Sequence, residues 1–209
     1  MTNTPEYDRM ISGKLYNPRE VESEKSSAKG RRLAQRINQT SILDRQKIID
    51  MEKELLGSSG QHIYIMPPLY VDYGMNIHVG ENFYANVGCS FMDVAPITIG
   101  QNVMLGPGCH LLTPSHPIDA HIRNHSGLEF GLPIMIEDDV WLGGNVTVNP
   151  GVTIGARSII GSGSVVTKDI PSDVIAVCNP ARVLRNITQD DTEFWQSQQD
   201  AYNKEHLDE

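Results

Sequence analysis

Long apolar runs are missing from this 209-residue sequence, and no stretch approaches the roughly 18 apolar residues that a membrane-crossing helix requires. A basic start followed by an apolar core is missing too, so no export signal is expected. Cysteine is scarce. Cys89, Cys109 and Cys178 are an odd set without metal-knuckle spacing, which fits buried thiols in a reducing, cytoplasmic compartment better than a disulfide frame. Positive charge is also short: 17 Lys and Arg against 26 Asp and Glu leave a formal net charge of −9. Nucleic acid and anionic membranes are recognised through broad positive potential, so neither is an expected partner. A polyanionic small molecule meeting a local basic patch stays compatible with this balance.

What the chain does have is a repeat of six. Apolar residues recur at Ile65, Val71, Ile77, then Val79, Ala85, Phe91, then Ile99, Leu105, Leu111, and finally Ile136, Leu142, Val148, Ile154, Ile160 and Val166. Glycine often follows, as in Val79-Gly80, Leu105-Gly106, Leu142-Gly143 and Ile160-Gly161. A helix repeats at about 3.6 and a flat strand at about 2, so neither yields six. Short strands joined at tight corners do, with one inward residue per strand and glycine free to take the corner geometry. This is the hexapeptide signature of a parallel β-helix. Three hexads close one triangular coil of about 18 residues, and the repeats amount to about five coils stacked at roughly 4.8 Å. An alternating β-sandwich would need period-two patterning and hairpin signals, which fit poorly.

The register slips in two places. Between Phe91 and Ile99 the interval is eight, and Asp93 falls inside it. Between Leu111 and Ile136 it is 25, one hexad plus about nineteen residues, and that insertion carries His116, His121 and His125 just after His110. Extra residues can leave a coil without unstacking it only at a corner. The expected organisation is a helical segment over 1–60, a β-helix over 61–187 with a loop at 112–133, and a polar helical tail over 188–209. In the first segment Ser41 and Asp44 resemble a cap for a helix that buries Ile48, Met51 and Leu55 and stops at Gly57. Residues 17–32 read as a solvated helix or turn. The tail is expected to start at Thr188 and Asp191, leaving Phe194, Trp195 and Tyr202 available for packing.

The segments GKLY, DYGMNIHVGENFYANVGC, MDVAPITIG, SHPIDAHIRN, SGLEFGLPI, VWLGGNVTVNPGVTIG, GSGSVVTKDIP and NPARV resemble the hexapeptide-repeat sugar O-acetyltransferases. Within that galactoside and maltose acetyltransferase family the maltose branch is nearer. The resemblance implies a left-handed parallel β-helix, acetyl-CoA as co-substrate with no metal required, a sugar acceptor, and a homotrimer whose active sites lie between subunits.

Acetyl transfer to an alcohol needs a base on the hydroxyl and donors aimed at the developing oxyanion. Histidine is the natural base near neutral pH. His116 in SHPID matches the family's catalytic position, whereas without the resemblance it reads as a surface-loop histidine. His78 and His110 lie in hexads and read as structural, and His121 and His125 as solvated. The resemblance gives Gly144 as the backbone donor to the oxyanion, although a glycine there could equally serve a coil corner. It gives Asn86, Asp72 and Asp93 as acceptor-binding groups, the position of Asp93 at a register break favouring function. Glu129 matches an acidic position that touches the acceptor or orients His116. Asn17-Pro18-Arg19-Glu20 departs from the family's N-terminal sugar contact. For the coenzyme the matches are Ser162, Thr167, Lys168, Arg182 and Arg185, cations suited to phosphates, with Trp141 lining the cofactor groove or packing between subunits.

Two other activities stay open at this level. A hydrophobic xenobiotic alcohol could replace the sugar as acceptor. A zinc-dependent β-helix hydratase would use a histidine set such as His121 and His125, whose i,i+4 spacing converges only on a helix that Pro117 and Gly127 disfavour. A purely structural solenoid explains the hexads but not the His116 loop or the Lys168, Arg182 and Arg185 cluster.

Overall fold

The computed structural model describes residues 5–207, so the outermost residues of both expected end segments, 1–4 and 208–209, lie outside the described residues. The hexads form a three-faced prism. Its first face stacks Ile63–Ile65, Phe83–Ala85, Met104–Leu105, Trp141–Leu142, Ile159–Ile160 and Val174–Val177 in parallel, and Arg182–Asn186 closes it antiparallel. The second face stacks Tyr70–Val71, Ser90–Met92, His110–Leu112, Thr147–Val148 and Val165–Val166. The third stacks Ile77–Val79, Ile97–Ile99, Ile134–Ile136 and Thr153–Ile154, and Ile170 adds a bridge to Ile154. Five coils are complete and Val174–Val177 begins another, one turn more than the hexad count implies.

Each coil buries its hexad residue over the one below: Ile99, Ile136 and Ile154 are in register, as are Leu105, Leu142 and Ile160, all buried. The corner between the third and first faces repeats Asn82, Asn102, Asp139, Arg157 and Asp173, all with φ between 56° and 61°. Asn and Asp tolerate this left-handed geometry. They also bond along the stack, Asn82 Nδ2 donating to Asn102 Oδ1 at 3.0 Å and Asn102 Nδ2 to Asp139 Oδ1 at 2.9 Å.

Three helices cover the first coils: α1 (Glu6–Ile11), α2 (Ser27–Asn38) and α3 (Arg45–Leu55). The N-cap of α2 is Ser26, whose hydroxyl accepts from Ala28 N–H at 3.2 Å. Its inner face of Gly30, Leu33, Ala34 and Ile37 is buried. The α3 helix buries Ile48, Met51 and Leu55 as expected, but Ser41 and Asp44 do not cap it by side chain. The Ser41 hydroxyl accepts from Leu43 N–H at 3.3 Å, closing the turn before the helix.

The tail helix α4 (Gln189–Leu207) opens with Asp191 accepting from Thr188 N–H at 2.9 Å. Phe194 and Trp195 stay exposed along it. Among the described residues no helix is long and apolar enough to cross a membrane.

Candidate active site

The corner between the second and third faces is where the chain leaves its repeat. In the first two coils this corner holds Asp72-Tyr73 and Asp93-Val94, and in the third it opens into the insertion. The insertion is pinched at its root: Pro114–Ser115 pairs antiparallel with Phe130–Gly131, and Leu132 N–H donates to Thr113 O at 3.0 Å. A Cβ on Gly131 would stand 2.9 Å from Ala95 Cβ, so glycine lets this ladder lie directly on the coil below. The root is therefore rigid while Ile118, at the loop's far side, is 97% exposed.

His116 leaves this root and faces a cavity of about 380 Å³ lined by Pro18, Ser27, Arg31, Asp72, Tyr73, Val94, Pro114 and Glu129. Its Nδ1 lies 3.9 Å from Glu129 Oε2. The Tyr16 hydroxyl donates to the other Glu129 oxygen, and Tyr16 and Glu129 exchange both backbone hydrogen bonds, at 3.0 and 3.1 Å. Tyr16 is 1% exposed, and burial, then the bond to Glu129, pushes its phenol well above the usual range. The neighbouring Tyr73 is pushed up to about 12 by burial and by the Asp72 and Glu129 charges.

Asp72 also faces the cavity, its carboxylate held by Arg31 Nη2 at 2.5 Å. Gly30 makes that pair possible. A Cβ there would lie 2.0 Å from Tyr73 O, so only glycine brings α2 close enough to set Arg31 over Asp72. Residues 17–32 are thus not merely solvated: they supply Pro18, Ser27 and Arg31 to the cavity.

Asp93 is a correction. The resemblance, with the register break favouring it, points to a sugar-facing carboxylate, yet Asp93 is 0% exposed and turned inward. One oxygen accepts from Asp72 N–H at 3.1 Å and Tyr73 N–H at 2.8 Å, the other from Asn76 N–H at 3.2 Å. Burial pushes its acid up to about 6 against the pull of the Tyr73 and Asn76 N–H groups. An irregular corner leaves backbone donors unpaired, and a buried carboxylate satisfies them. The residue beside it, Val94, is what reaches the cavity lining.

The remaining expected residues stand elsewhere. Asn86, Gly144 and Ser162 line the corner between the first and second faces, on three different coils. Asn86 Oδ1 accepts from Val87 N–H at 2.8 Å. At the Gly143-Gly144 corner the two glycines differ. A Cβ on Gly143 would meet Ser162 N at 2.7 Å, whereas one on Gly144 would find Pro107 no nearer than 3.4 Å, an ordinary contact. Gly143 is therefore the glycine the stack needs. The Gly144 N–H meets no acceptor among the described residues. Trp141 is 48% exposed on the first face, in register with exposed Met104.

Thr167 and Lys168 are exposed at the same corner as His116, two coils further along the stack. Lys168 makes no ion pair among the described residues. Arg182 is exposed and donates to Ala181 O at 2.8 Å. Arg185, expected with Lys168 and Arg182 to meet coenzyme phosphates, has its guanidinium held by Asp191 through two bonds of 2.6 and 2.8 Å. That pairing keeps the Asp191 carboxyl well below the usual carboxylate range.

His78 accepts the structural role expected of it, its Nδ1 lying 2.9 Å from Ser58 Oγ. His121 and His125 sit on a single wide helical turn, where Pro117 and Gly127 had argued against any helix. Their rings stack at 4.4 Å with 14° between planes. Ring-nitrogen lone pairs lie in the ring plane, so parallel stacked rings cannot aim them at one ion. Among the described residues no group of three metal-ligating side chains comes together.

Comparison with known proteins gives the following. Residues 133–168 match the family model for the bacterial transferase hexapeptide (six repeats), and residues 9–60 match the maltose acetyltransferase hexapeptide capping motif. A putative acetyltransferase of Schizosaccharomyces pombe is 46% identical over 193 residues, covering 88% of this chain and 93% of the relative. A crystal structure of a maltose O-acetyltransferase from Clostridium difficile 630 aligns with a TM-score of 0.86 at 46% identity, over 89% of this chain and 99% of that one. A galactoside acetyltransferase in complex with coenzyme A aligns at 0.85 with 38% identity, over 91% and 94%.

Proposed function

This chain belongs to the hexapeptide-repeat acetyltransferase family that carries the maltose acetyltransferase capping motif, and on that premise we propose that it acetylates a sugar hydroxyl with His116 as general base. It is an acetyl-CoA-dependent acetyltransferase, and acetyl-CoA is the co-substrate that supplies the activated acetyl group as a thioester. The sugar reading is supported by the named relatives and by the cavity. Asp72 accepts and Arg31 donates within one lining, which suits neighbouring hydroxyls that are each donor and acceptor.

The observation that carries the proposal is the pairing of His116 with Glu129 at 3.9 Å over a cavity of about 380 Å³. With Nδ1–H turned to Glu129, Nε2 keeps its lone pair and takes the acceptor's hydroxyl proton as oxygen bonds to the acyl carbon. The bare Gly144 N–H suits the negative charge that grows on the carbonyl oxygen. As the carbon–sulfur bond breaks, the imidazolium returns its proton to the departing sulfur. Lys168 and Arg182 are free to meet coenzyme phosphates, and Ser162 and Trp141 to line its arm.

His116 and Gly144 stand on different corners of one prism, so this chemistry requires the His116 corner of one copy against the Gly144 corner of another. A homotrimer with sites between subunits answers that requirement, and the exposed apolar Met104 and Trp141 column offers a contact face. A thiol-release assay with acetyl-CoA against a panel of mono- and disaccharides and hydrophobic alcohols tests the reading. Sugar-dependent release supports it, and release only with the hydrophobic alcohols refutes the sugar assignment.

A further inference from the structure

Tyr16 is a buried ionisable group that the proposed chemistry leaves unused although it touches the site. Tyr16 follows α1 in the N-terminal segment, 113 residues before Glu129, and is sealed in a satellite core with Tyr7, Met10, Tyr73 and Val94. That core is itself anchored to the prism, Tyr7 Oη donating to Asn76 Oδ1 at 2.6 Å and Asn76 Nδ2 to Asp93 O at 2.7 Å. Tyr16 therefore does not move independently of the coils.

Every hydrogen bond of Tyr16 runs to Glu129. The two residues form an isolated antiparallel bridge, so the Glu129 backbone is fixed in both donor and acceptor. The phenol then takes one carboxylate oxygen, leaving Oε2 as the oxygen directed to His116, 3.9 Å from its Nδ1. A small side-chain rotation closes that gap to a hydrogen bond, the kind of tightening that bound substrate brings to catalytic pairs.

We infer that Tyr16 is a positioning residue of the active site, clamping Glu129 so that the carboxylate holds His116 in the one tautomer and orientation able to accept the acceptor's proton. The inference rests on the base role given to His116 above and adds a member that comes from the N-terminal cap. That cap thereby reaches the reacting group as well as covering the end of the prism. Being 1% exposed, Tyr16 cannot touch an acceptor, so any effect on turnover must pass through Glu129. The other titratable groups facing the cluster are Tyr73, Asp72 with its partner Arg31, and Asp93 behind them.

The test is a double-mutant cycle in the full chain, read by steady-state kinetics with the best sugar of the panel. Tyr16→Phe removes only the hydroxyl and is expected to lower kcat about tenfold while changing either KM less than about twofold. In a Glu129→Gln background the same change is expected to lower kcat less than about twofold, because the carboxylate it served is gone. Wild-type kcat in Tyr16→Phe, or the same loss in both backgrounds, would overturn the clamp. Full activity in His116→Ala would instead overturn the base assignment itself, which separates the two failures.

Discussion

Two corners of the same prism solve different problems. Between the first and second faces the chain keeps strict period, and what it offers is backbone: Gly143 allows close stacking and Gly144 presents an unpaired N–H. Between the second and third faces it breaks period in each of the first three coils, Val71 to Val79 and Phe91 to Ile99 taking eight residues and Leu111 to Ile136 twenty-five, and what it offers is side chains: Asp72 with Arg31, and His116 with Glu129. A repeat can place a backbone donor at little cost to its own packing, because the Gly144 position has ordinary room around it and the stack asks nothing of its N–H. Aiming an imidazole and a carboxylate at each other takes residues that a six-residue period has no room for. The irregular corner in turn needs internal support, which Asp93 and the N-terminal cap provide.

The largest effect that would break this contrast concerns the irregular corner. His116→Ala is expected to lower kcat by roughly three orders of magnitude, with coenzyme A affinity by calorimetry unchanged, because a positioned base contributes on the order of 10²–10⁴. Asp93→Ala separates support from chemistry. It leaves three buried N–H groups unpaired and should lower unfolding free energy by roughly 3–5 kcal/mol in denaturant titration. A raised acceptor KM at unchanged stability would restore Asp93 to the sugar. The regular corner gives the smallest and sharpest comparison. Gly143→Ala must displace Ser162 and should cost about 2 kcal/mol, whereas Gly144→Ala, whose Cβ has room, should cost less than about 0.5 kcal/mol.

The hexads were legible because each inward residue is dictated by a period that nothing else produces. The loop was legible as the longest interruption of that period, and its exit at a corner follows from strand stacking. The hand of the coil came from family resemblance, since periodicity is blind to it. Asp93 was misread because the resemblance and the register break both suggested ligand chemistry, when the backbone at the break had first claim on the carboxylate. Tyr16 and Arg31 were missed because their partners lie 113 and 41 residues away. Gly30 within a charged stretch was the available signal, a glycine where helix propensity argues against one. The Arg185 partner was not legible because Asp191 sits in a tail read as separate.

The central claim is that the two kinds of corner, taken from neighbouring copies, make one site. A crystal structure of the protein with coenzyme A tests it most directly. The account predicts the thiol between Gly144 N–H of one chain and His116 of the next, close enough for both to reach an acyl group carried there. A thiol lying beyond the reach of any His116 ring, or served by both groups from a single chain, would contradict it.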